Sequence, residues 1–206
     1  MKTAKSETPS ILPTSYVCVF CGSLSGSRPA YEAAARCVGT AIAEKGLGLV
    51  YGGGRVGLMG IVADAALEAG GRVIGIIPER LSSSEIAHGG LSELHVVNSM
   101  HERKAMMAML SSGFLTLPGG IGTFEEFFEI LTWSALKIHG KPMGILNVDG
   151  YFDRLFDFMN YGVEEGFIRK RDREKLVVSD DPESLIAYFA EHVRPPQSEP
   201  VHVERT

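Results

Sequence analysis

The sequence predicts an α/β protein with three layers: a mostly parallel sheet of about seven strands with helices on both faces. Three observations predict it. Short apolar runs alternate with helical patterns along the chain, as successive βαβ units do. The runs are continuously apolar rather than alternating, as befits strands covered on both sides. Glycine, 24 of 206 residues, clusters in turns that directly follow these runs.

Each element follows from local signals. Residues 16–20 (Tyr-Val-Cys-Val-Phe) read as a strand that stops at Gly22. Residues 29–45 read as a helix, with Pro29 suited to the first turn, where its missing N–H is not needed. Residues 47–51 form a strand ending in Gly52-Gly53-Gly54, and 58–69 a helix closed by Gly70-Gly71. A strand over 72–77 stops at Pro78, a polar loop covers 81–92, and a short strand covers 94–97. Residues 100–111 are a helix and 114–117 a strand. A helix over 124–138 ends at Gly140 and Pro142, and 143–147 is a strand. A helix over 152–165, a strand over 176–178 and a helix over 182–190 complete the pattern. Connections between parallel strands of one sheet are right-handed, and ligands of such sheets sit beyond the carboxyl ends of the strands. Three glycine-rich turns, 22–26, 52–57 and 119–122, fall at those ends.

Length favours one domain over residues 15–193, with flexible segments at 1–14 and 194–206. A chain of this size buries about 70% of its unfolded surface without disulfide or metal staples. At 45% hydrophobic and 22% charged residues the composition is that of a folded globule. No apolar run approaches the ~20 residues of a membrane span, and the first residues do not form a signal peptide. The net charge of −5 argues against nucleic-acid binding, though not against a small anion in a local pocket. Three cysteines, at 18, 21 and 37, are an odd number and point to a reducing, cytoplasmic setting.

The strongest chemical signal is Pro118-Gly119-Gly120-Ile121-Gly122-Thr123-Phe124-Glu125-Glu126, which follows a strand and opens a helix. Glycines let the backbone approach a ligand closely. The helix start offers free N–H groups and the positive dipole end, so a phosphate is the natural guest. Thr123 and Glu126 also fit a capping box, which accounts for those two residues but not for three glycines. Glu125 and Glu126 stand about 100° apart on a helix and cannot both face one ligand equally. Phe124, Phe127, Phe128 and Leu131 form a stripe that packs in the core or against a partner.

A second signal is Ser99-Met100-His101-Glu102-Arg103-Lys104. Ser99 and Glu102 suit a capping box, which places Arg103 and Lys104 in the first helical turn. Cations are unfavourable there, so an anion nearby is expected, unless the two are simply a solvated basic pair. Met100, Met106, Met107 and Met109 read as core residues. Gly52-Gly53-Gly54-Arg55-Val56-Gly57 matches G-x-G-x-x-G, but the acid expected some 20 residues on is missing at that spacing, so a structural or phosphate-proximal turn fits better than a dinucleotide site. Cys18 and Cys21 point to opposite faces of a strand, which argues against a shared metal or a redox pair. The histidines show no ligand spacing.

Taken together, 51–60 (Tyr-Gly-Gly-Gly-Arg-Val-Gly-Leu-Met-Gly), Met100-His101-Glu102-Arg103-Lys104 and 118–126 carry a likeness that neither motif has alone. The chain resembles the LOG (Lonely Guy) family of cytokinin riboside 5′-monophosphate phosphoribohydrolases over about residues 17–189. Cys21-Gly22-Ser23 and 144–151 (Gly-Ile-Leu-Asn-Val-Asp-Gly-Tyr) extend it. The resemblance implies a Rossmann-like fold and hydrolysis of the N-glycosidic bond of an adenosine 5′-monophosphate, plain or N6-modified, to free base and ribose 5-phosphate. It implies Arg103 and Glu126 as the catalytic pair and Gly119, Gly120, Gly122 and Thr123 as the phosphate-binding turn. Glu85, Lys104, Ile121, Phe124, Glu125 and Thr132, with Gly22, Ser23, Gly53 and Gly54, are the further substrate contacts expected. It implies no metal or cofactor, and a homodimer with the site near the subunit interface.

Departures from the family pattern are Trp133-Ser134-Ala135 for Trp-Ala-Gln, Leu24 for a frequent Ser, and Ile121 where many plant members have Tyr. They bear on base preference and pocket shape. Some relatives carry a lysine decarboxylase label, but no lysine here stands out as a Schiff-base former. Two other readings compete: a non-catalytic carrier of a nucleotide-like ligand or of molybdenum cofactor, and an NAD-dependent oxidoreductase resting on 52–57 alone.

Overall fold

In the structure, a computed structural model that describes residues 13–82 and 87–195, strand and helix alternate almost throughout. The elements are β1 (Tyr16–Phe20), α1 (Pro29–Glu44), β2 (Gly48–Tyr51), α2 (Gly57–Glu68), β3 (Val73–Pro78), β4 (Glu93–Val97), α3 (Met100–Leu110) and β5 (Gly113–Thr116). They continue with α4 (Ile121–Ala135), β6 (Met143–Leu146), α5 (Asp153–Glu164), α6 (Lys170–Arg173), β7 (Leu176–Ser179) and α7 (Pro182–His192). The strands form one sheet in the order β4-β3-β2-β1-β5-β6-β7, and every pairing is parallel. The chain winds outward from β1 to β4, then crosses back to lay β5 on the other side of β1. The β1–β5 gap is therefore the topological switch point.

Alternation along the strands sorts two apolar layers. Val17 and Val19 of β1 face a layer completed by Val38 of α1, Val62 of α2 and Ile186 and Phe189 of α7. Cys18 and Phe20 face the layer that holds Met107 of α3, Phe127 and Ile130 of α4, and Phe152 and Met159 around α5. Cys21 lies in the first layer, so Cys18 and Cys21 do occupy opposite faces. The inner strands are buried except for Tyr16 at the start of β1, whereas edge strands β4 and β7 alternate between exposed and covered residues. Phe189 is fully buried, and glycines at 113 and 144 make room for its ring, since a Cβ at either would come within 3 Å of it. Burying such a ring contributes about 1.5–3 kcal/mol. The last helix starts as its sequence dictates: Asp181 accepts from the N–H groups of Glu183 and Ser184, and Pro182 takes the first turn.

Four local expectations need correction. α4 begins at Ile121, with Gly120 as a cap that uses no side chain, so Thr123 and Glu126 lie inside the helix and form no capping box. A turn of 3₁₀ helix at Glu79–Leu81 precedes the polar loop, and α6 is an additional short helix. Of the four methionines, only Met107 is core: Met106 is half-buried and Met100 and Met109 are exposed, because α3 turns only one narrow stripe inward. Phe128 is likewise exposed, while Phe127 and Leu131 are buried. The expectations for the terminal segments 1–12 and 196–206 and for Glu85 lie outside the described residues.

Candidate active site

The three glycine turns meet at the carboxyl end of the sheet. Gly22 N–H donates to Pro118 O across the switch point, and Met59 N–H donates to Gly22 O. Gly57, at φ +58°, lies so close to Ser23 that a Cβ would come within 2.3 Å of its carbonyl carbon. Only a glycine meets both demands.

Arg103 reaches this end from α3. Ser99 caps that helix by accepting from Glu102 N–H at 3.1 Å, and Glu102 returns a bond by accepting from Asn98 N–H at 2.8 Å. The inward stripe of α3 carries Arg103 and, one turn on, Met107. Arg103 is 9% exposed. Its Nε donates to Ile76 O at 3.2 Å, and its Nη1 lies 2.8 Å from Oε1 of Glu126. The remaining Nη2 rests against Gly52, where a Cβ would stand only 2.2 Å away. Gly52 is the slot for the guanidinium, a role not among the expectations, because the partner side chain lies 51 residues away.

Glu126 lies on the buried stripe of α4 with Thr123, Phe127 and Ile130. It sits one turn, about 4.5 Å, along the helix from Thr123. Burial raises its carboxyl above the ordinary glutamate range and outweighs the attraction of Arg103. Its neighbour Glu125 turns outward, as the 100° offset requires, and accepts from Lys104 Nζ, which also donates to Glu129 at 3.0 Å. Burial opposes the Lys104 ammonium, but those two carboxylates prevail and hold its pKa above the usual lysine value. The anion expected beside Arg103 and Lys104 is thus supplied, in this state, by the protein's own carboxylates on α4.

Next to the pair lies the start of α4. Phe124 N–H closes the first turn on Gly120 O at 3.0 Å, which leaves the N–H groups of Ile121, Gly122 and Thr123 without intrahelical partners. Thr123 Oγ1 packs against Gly119, leaving no room for a side chain there. At Gly120 and Gly122, by contrast, a Cβ would meet nothing within 4 Å. Packing within the chain does not require glycine at these two positions; close approach of a ligand would. Tyr151 donates its hydroxyl proton to Gly119 O and packs its ring edge-on against Tyr31.

The other expected contacts are distributed differently. Gly53 accepts from His88 N–H, and Gly54 bridges Ala87, so both anchor the loop after β3. Ser23 is exposed in the first turn. Thr132 donates to Phe128 O at 2.7 Å and stands nine residues beyond Thr123, about 14 Å along the helix; the structure does not bring it to the cradle of its own chain. The thiols of Cys18 and Cys21, fully enclosed, are pushed well up by burial and then by the Glu126 charge, so they stay protonated. Among the described residues no group of three side chains is placed to hold a metal ion, and no helix is long and apolar enough to cross a membrane.

Comparisons with known proteins bear on this arrangement. Residues 59–189 match the family model described as a possible lysine decarboxylase. The cytokinin riboside 5′-monophosphate phosphoribohydrolase of Rhodococcoides fascians is 51% identical over 172 residues, covering 83% of this chain and 87% of that protein. An enzyme of the same name from Arabidopsis thaliana is 45% identical over 176 residues, covering 85% and 81%. Among solved structures, a molybdenum cofactor binding protein of Rippkaea orientalis superposes with a TM-score of 0.65 at 20% identity, covering 86% of this chain and 96% of that one. The molybdenum cofactor carrier protein of Chlamydomonas reinhardtii gives 0.65 at 23% identity, with the same coverage. At such identities these two establish a common fold and nothing more.

Proposed function

The chain belongs to the family whose model is described as a possible lysine decarboxylase and whose curated members include the cytokinin riboside 5′-monophosphate phosphoribohydrolases, and on that premise we propose that it hydrolyses the N-glycosidic bond of an adenosine 5′-monophosphate, N6-modified or plain, to the free base and ribose 5-phosphate. The observation that carries this reading is the buried Arg103–Glu126 pair, at 2.8 Å, one turn from a glycine-built helix start.

The 5′-phosphate sits on the N–H groups of 121–123, where the helix dipole favours an anion. Gly120 and Gly122 leave it room. Glu126 then faces the ribose. As the bond between C1′ and the base breaks, positive charge builds on the sugar, and a fixed, partly desolvated carboxylate stabilises it and orients the attacking water. Arg103 fixes that carboxylate and offers a planar, permanently charged donor to the leaving base. The phosphate, remote from the reacting bond, supplies positioning energy. The decarboxylase description fits the lysines poorly: Lys104, the one beside the pair, is held strongly protonated by two carboxylates, the opposite of the lowered pKa a nucleophilic lysine needs.

The reading includes a homodimer. Of the stripe expected to pack in the core or against a partner, Phe124 is half-buried, Phe127 and Leu131 are core and Phe128 alone is exposed; Phe158 of α5 and Phe167 after it, 70% and 90% exposed, offer a larger apolar face. Thr132 reaches a substrate only in the partner's cradle.

The test is to incubate the purified protein with isopentenyladenosine monophosphate and with AMP, and to assay free base and ribose 5-phosphate. Glu126→Gln and Arg103→Ala each abolish release while circular dichroism stays native. Full turnover by either variant overturns the role assignment. Tight binding without product would favour a carrier.

A further inference from the structure

We propose that Asn147 is a positioning residue for the phosphate cradle: it shapes the segment after β6 so that the Tyr151 hydroxyl locks the Gly119–Gly120 peptide, with Gly120 N–H aimed at the 5′-phosphate. This role rests on the reading of 119–123 as the seat of that phosphate and adds to it a residue outside the cradle. β6 pairs with β5 in parallel, Ile145 beside Thr116. The two strands therefore deliver the residues that follow them, Asn147 and Gly119 among them, to the same end of the sheet.

Asn147 N–H donates to Ser179 O at 2.8 Å and so continues the ladder toward β7. Its side chain then makes two bonds of opposite sense. Oδ1 accepts from Phe152 N–H at 2.8 Å, and Nδ2 donates to Asp153 Oδ1 at 2.7 Å. An N–H only donates and an ionised carboxylate only accepts, so the position calls for a short side chain that carries both a donor and an acceptor. Between these anchors the chain makes a 3₁₀ turn over Val148–Gly150, with Asp149 at φ +50° and Gly150 at φ +71°. A Cβ at Gly150 would come within 2.5 Å of Asp153 Oδ2. The carboxylate that Asn147 holds is thus the one packed against the left-handed glycine.

The turn delivers Tyr151. Phe152 is fully buried, and the Tyr151 ring packs edge-on against it with centroids 4.9 Å apart. The other side of that ring meets Tyr31 at 5.7 Å, and the hydroxyl donates to Gly119 O. In a planar trans peptide the C=O and the following N–H point in opposite directions. A Gly119 carbonyl drawn to Tyr151 therefore sends Gly120 N–H the other way, to join the free N–H groups of 121–123. A glycine on each side makes this peptide the easiest in the cradle to flip. Packing does not hold it, since a Cβ at Gly120 would meet nothing within 4 Å. The Tyr151 hydroxyl supplies the restraint, and Asn147 holds Tyr151 in place.

The experiment is calorimetric titration of the full chain with ribose 5-phosphate, beside steady-state release of adenine from AMP. Asn147→Asp keeps the acceptor for Phe152 N–H but sets two carboxylates against each other. Its affinity for ribose 5-phosphate falls about three- to tenfold. KM for AMP rises by the same factor with kcat nearly unchanged, the mark of lost binding rather than lost chemistry. Asn147→Asp combined with Asp153→Asn exchanges the two groups, so the amide at position 153 donates back, and affinity returns to within about twofold of the wild type. Asn147→Asp added to Tyr151→Phe brings little further loss, because the one acts through the other. Should Asn147→Asp not fold, Asp153→Ala, which leaves the Phe152 bond in place, weakens binding about two- to threefold. Absence of saturable binding by the wild type, undiminished affinity in either folded variant, no recovery on exchange, losses that multiply with Tyr151→Phe, or a fall in kcat as large as the rise in KM each overturns the proposal. Binding that follows the expected pattern without any base release sinks the hydrolase reading alone; base release with affinity untouched by Asn147→Asp sinks this role alone.

Discussion

Gly52→Ala is the sharpest test of the geometry at the carboxyl end of the sheet. The added methyl would stand 2.2 Å from Nη2 of Arg103, 3.3 Å from its Cζ and 3.3 Å from Sδ of Met59. Ordinary contact between heavy atoms lies near 3.5 Å, so the guanidinium must retreat by more than about 1 Å. It cannot do so and keep both the 3.2 Å bond to Ile76 O and the 2.8 Å bond to Glu126. The backbone itself has no objection, since Gly52 is not among the left-handed glycines. A displacement of about 1 Å in a positioning group costs on the order of a hundredfold in rate. The prediction is a drop in kcat/KM for base release of about that size. Stability falls by less than the 3–5 kcal/mol that outright loss of one partner of a buried pair would cost. The assay is steady-state release of adenine or isopentenyladenine, with urea denaturation beside it. Wild-type kcat/KM in a folded Gly52→Ala protein would show that the position of Arg103 does not matter, and the mechanism would fall with it.

Three more outcomes follow from the same structure. Burial favours the protonated form of Glu126, so its contribution to stability is present below the ordinary glutamate value of about 4.3 and is lost as pH rises through the shifted one. Activity runs the other way, because the ionised carboxylate is needed: kcat/KM should rise with pH along a limb centred above 4.3, and a limb at or below that value counts against the assignment. Tyr151→Phe removes the hydroxyl that holds Gly119 O, a neutral hydrogen bond worth about 0.5–1.5 kcal/mol; KM should rise about two- to tenfold with kcat nearly unchanged, and an equal fall in kcat would contradict a positioning role. Phe189→Ala empties the pocket framed by Gly113 and Gly144 and should cost about 3–5 kcal/mol in equilibrium unfolding, whereas a loss under 1 kcal/mol would mean the layer repacks.

Much of the fold was legible because its signals are local. Pro29 and Pro182 mark helix starts, and the apolar runs from 16 and from 47 mark strands, without reference to any distant residue. The error at α4 has a local cause too: a helix capped by Gly120 through its backbone leaves no side-chain signal, while Thr123 and Glu126 imitate a cap three residues too late. The pairing of Arg103 with Glu126 was beyond any spacing rule, since the two stand on different helices with a strand between them. It was reached only through the family's paired motifs. Helix geometry alone said that Glu125 and Glu126 could not both face one ligand; which of them turns away, Glu125 toward Lys104, it did not say, and Glu125 stood among the expected substrate contacts. Gly52 was missed because a slot for a side chain 51 residues away leaves no trace in the local pattern, and Tyr151 because one hydroxyl on a distant carbonyl leaves none either.

The crossing that puts β5 beside β1 has a consequence for how the enzyme comes into being. Val17 to Phe20 must find partners near residue 115, and β2, β3, β4 and three helices are threaded in between. Pairings of such long reach are the slow ones in folding. A growing chain that has completed only its first four strands holds Arg103 but neither Glu126 nor the phosphate cradle. During renaturation, turnover should therefore return in the last kinetic phase, after far-ultraviolet ellipticity has recovered, and a ribosome-bound fragment cannot act on a nucleotide before residues 119–126 have been made and paired with the first strands.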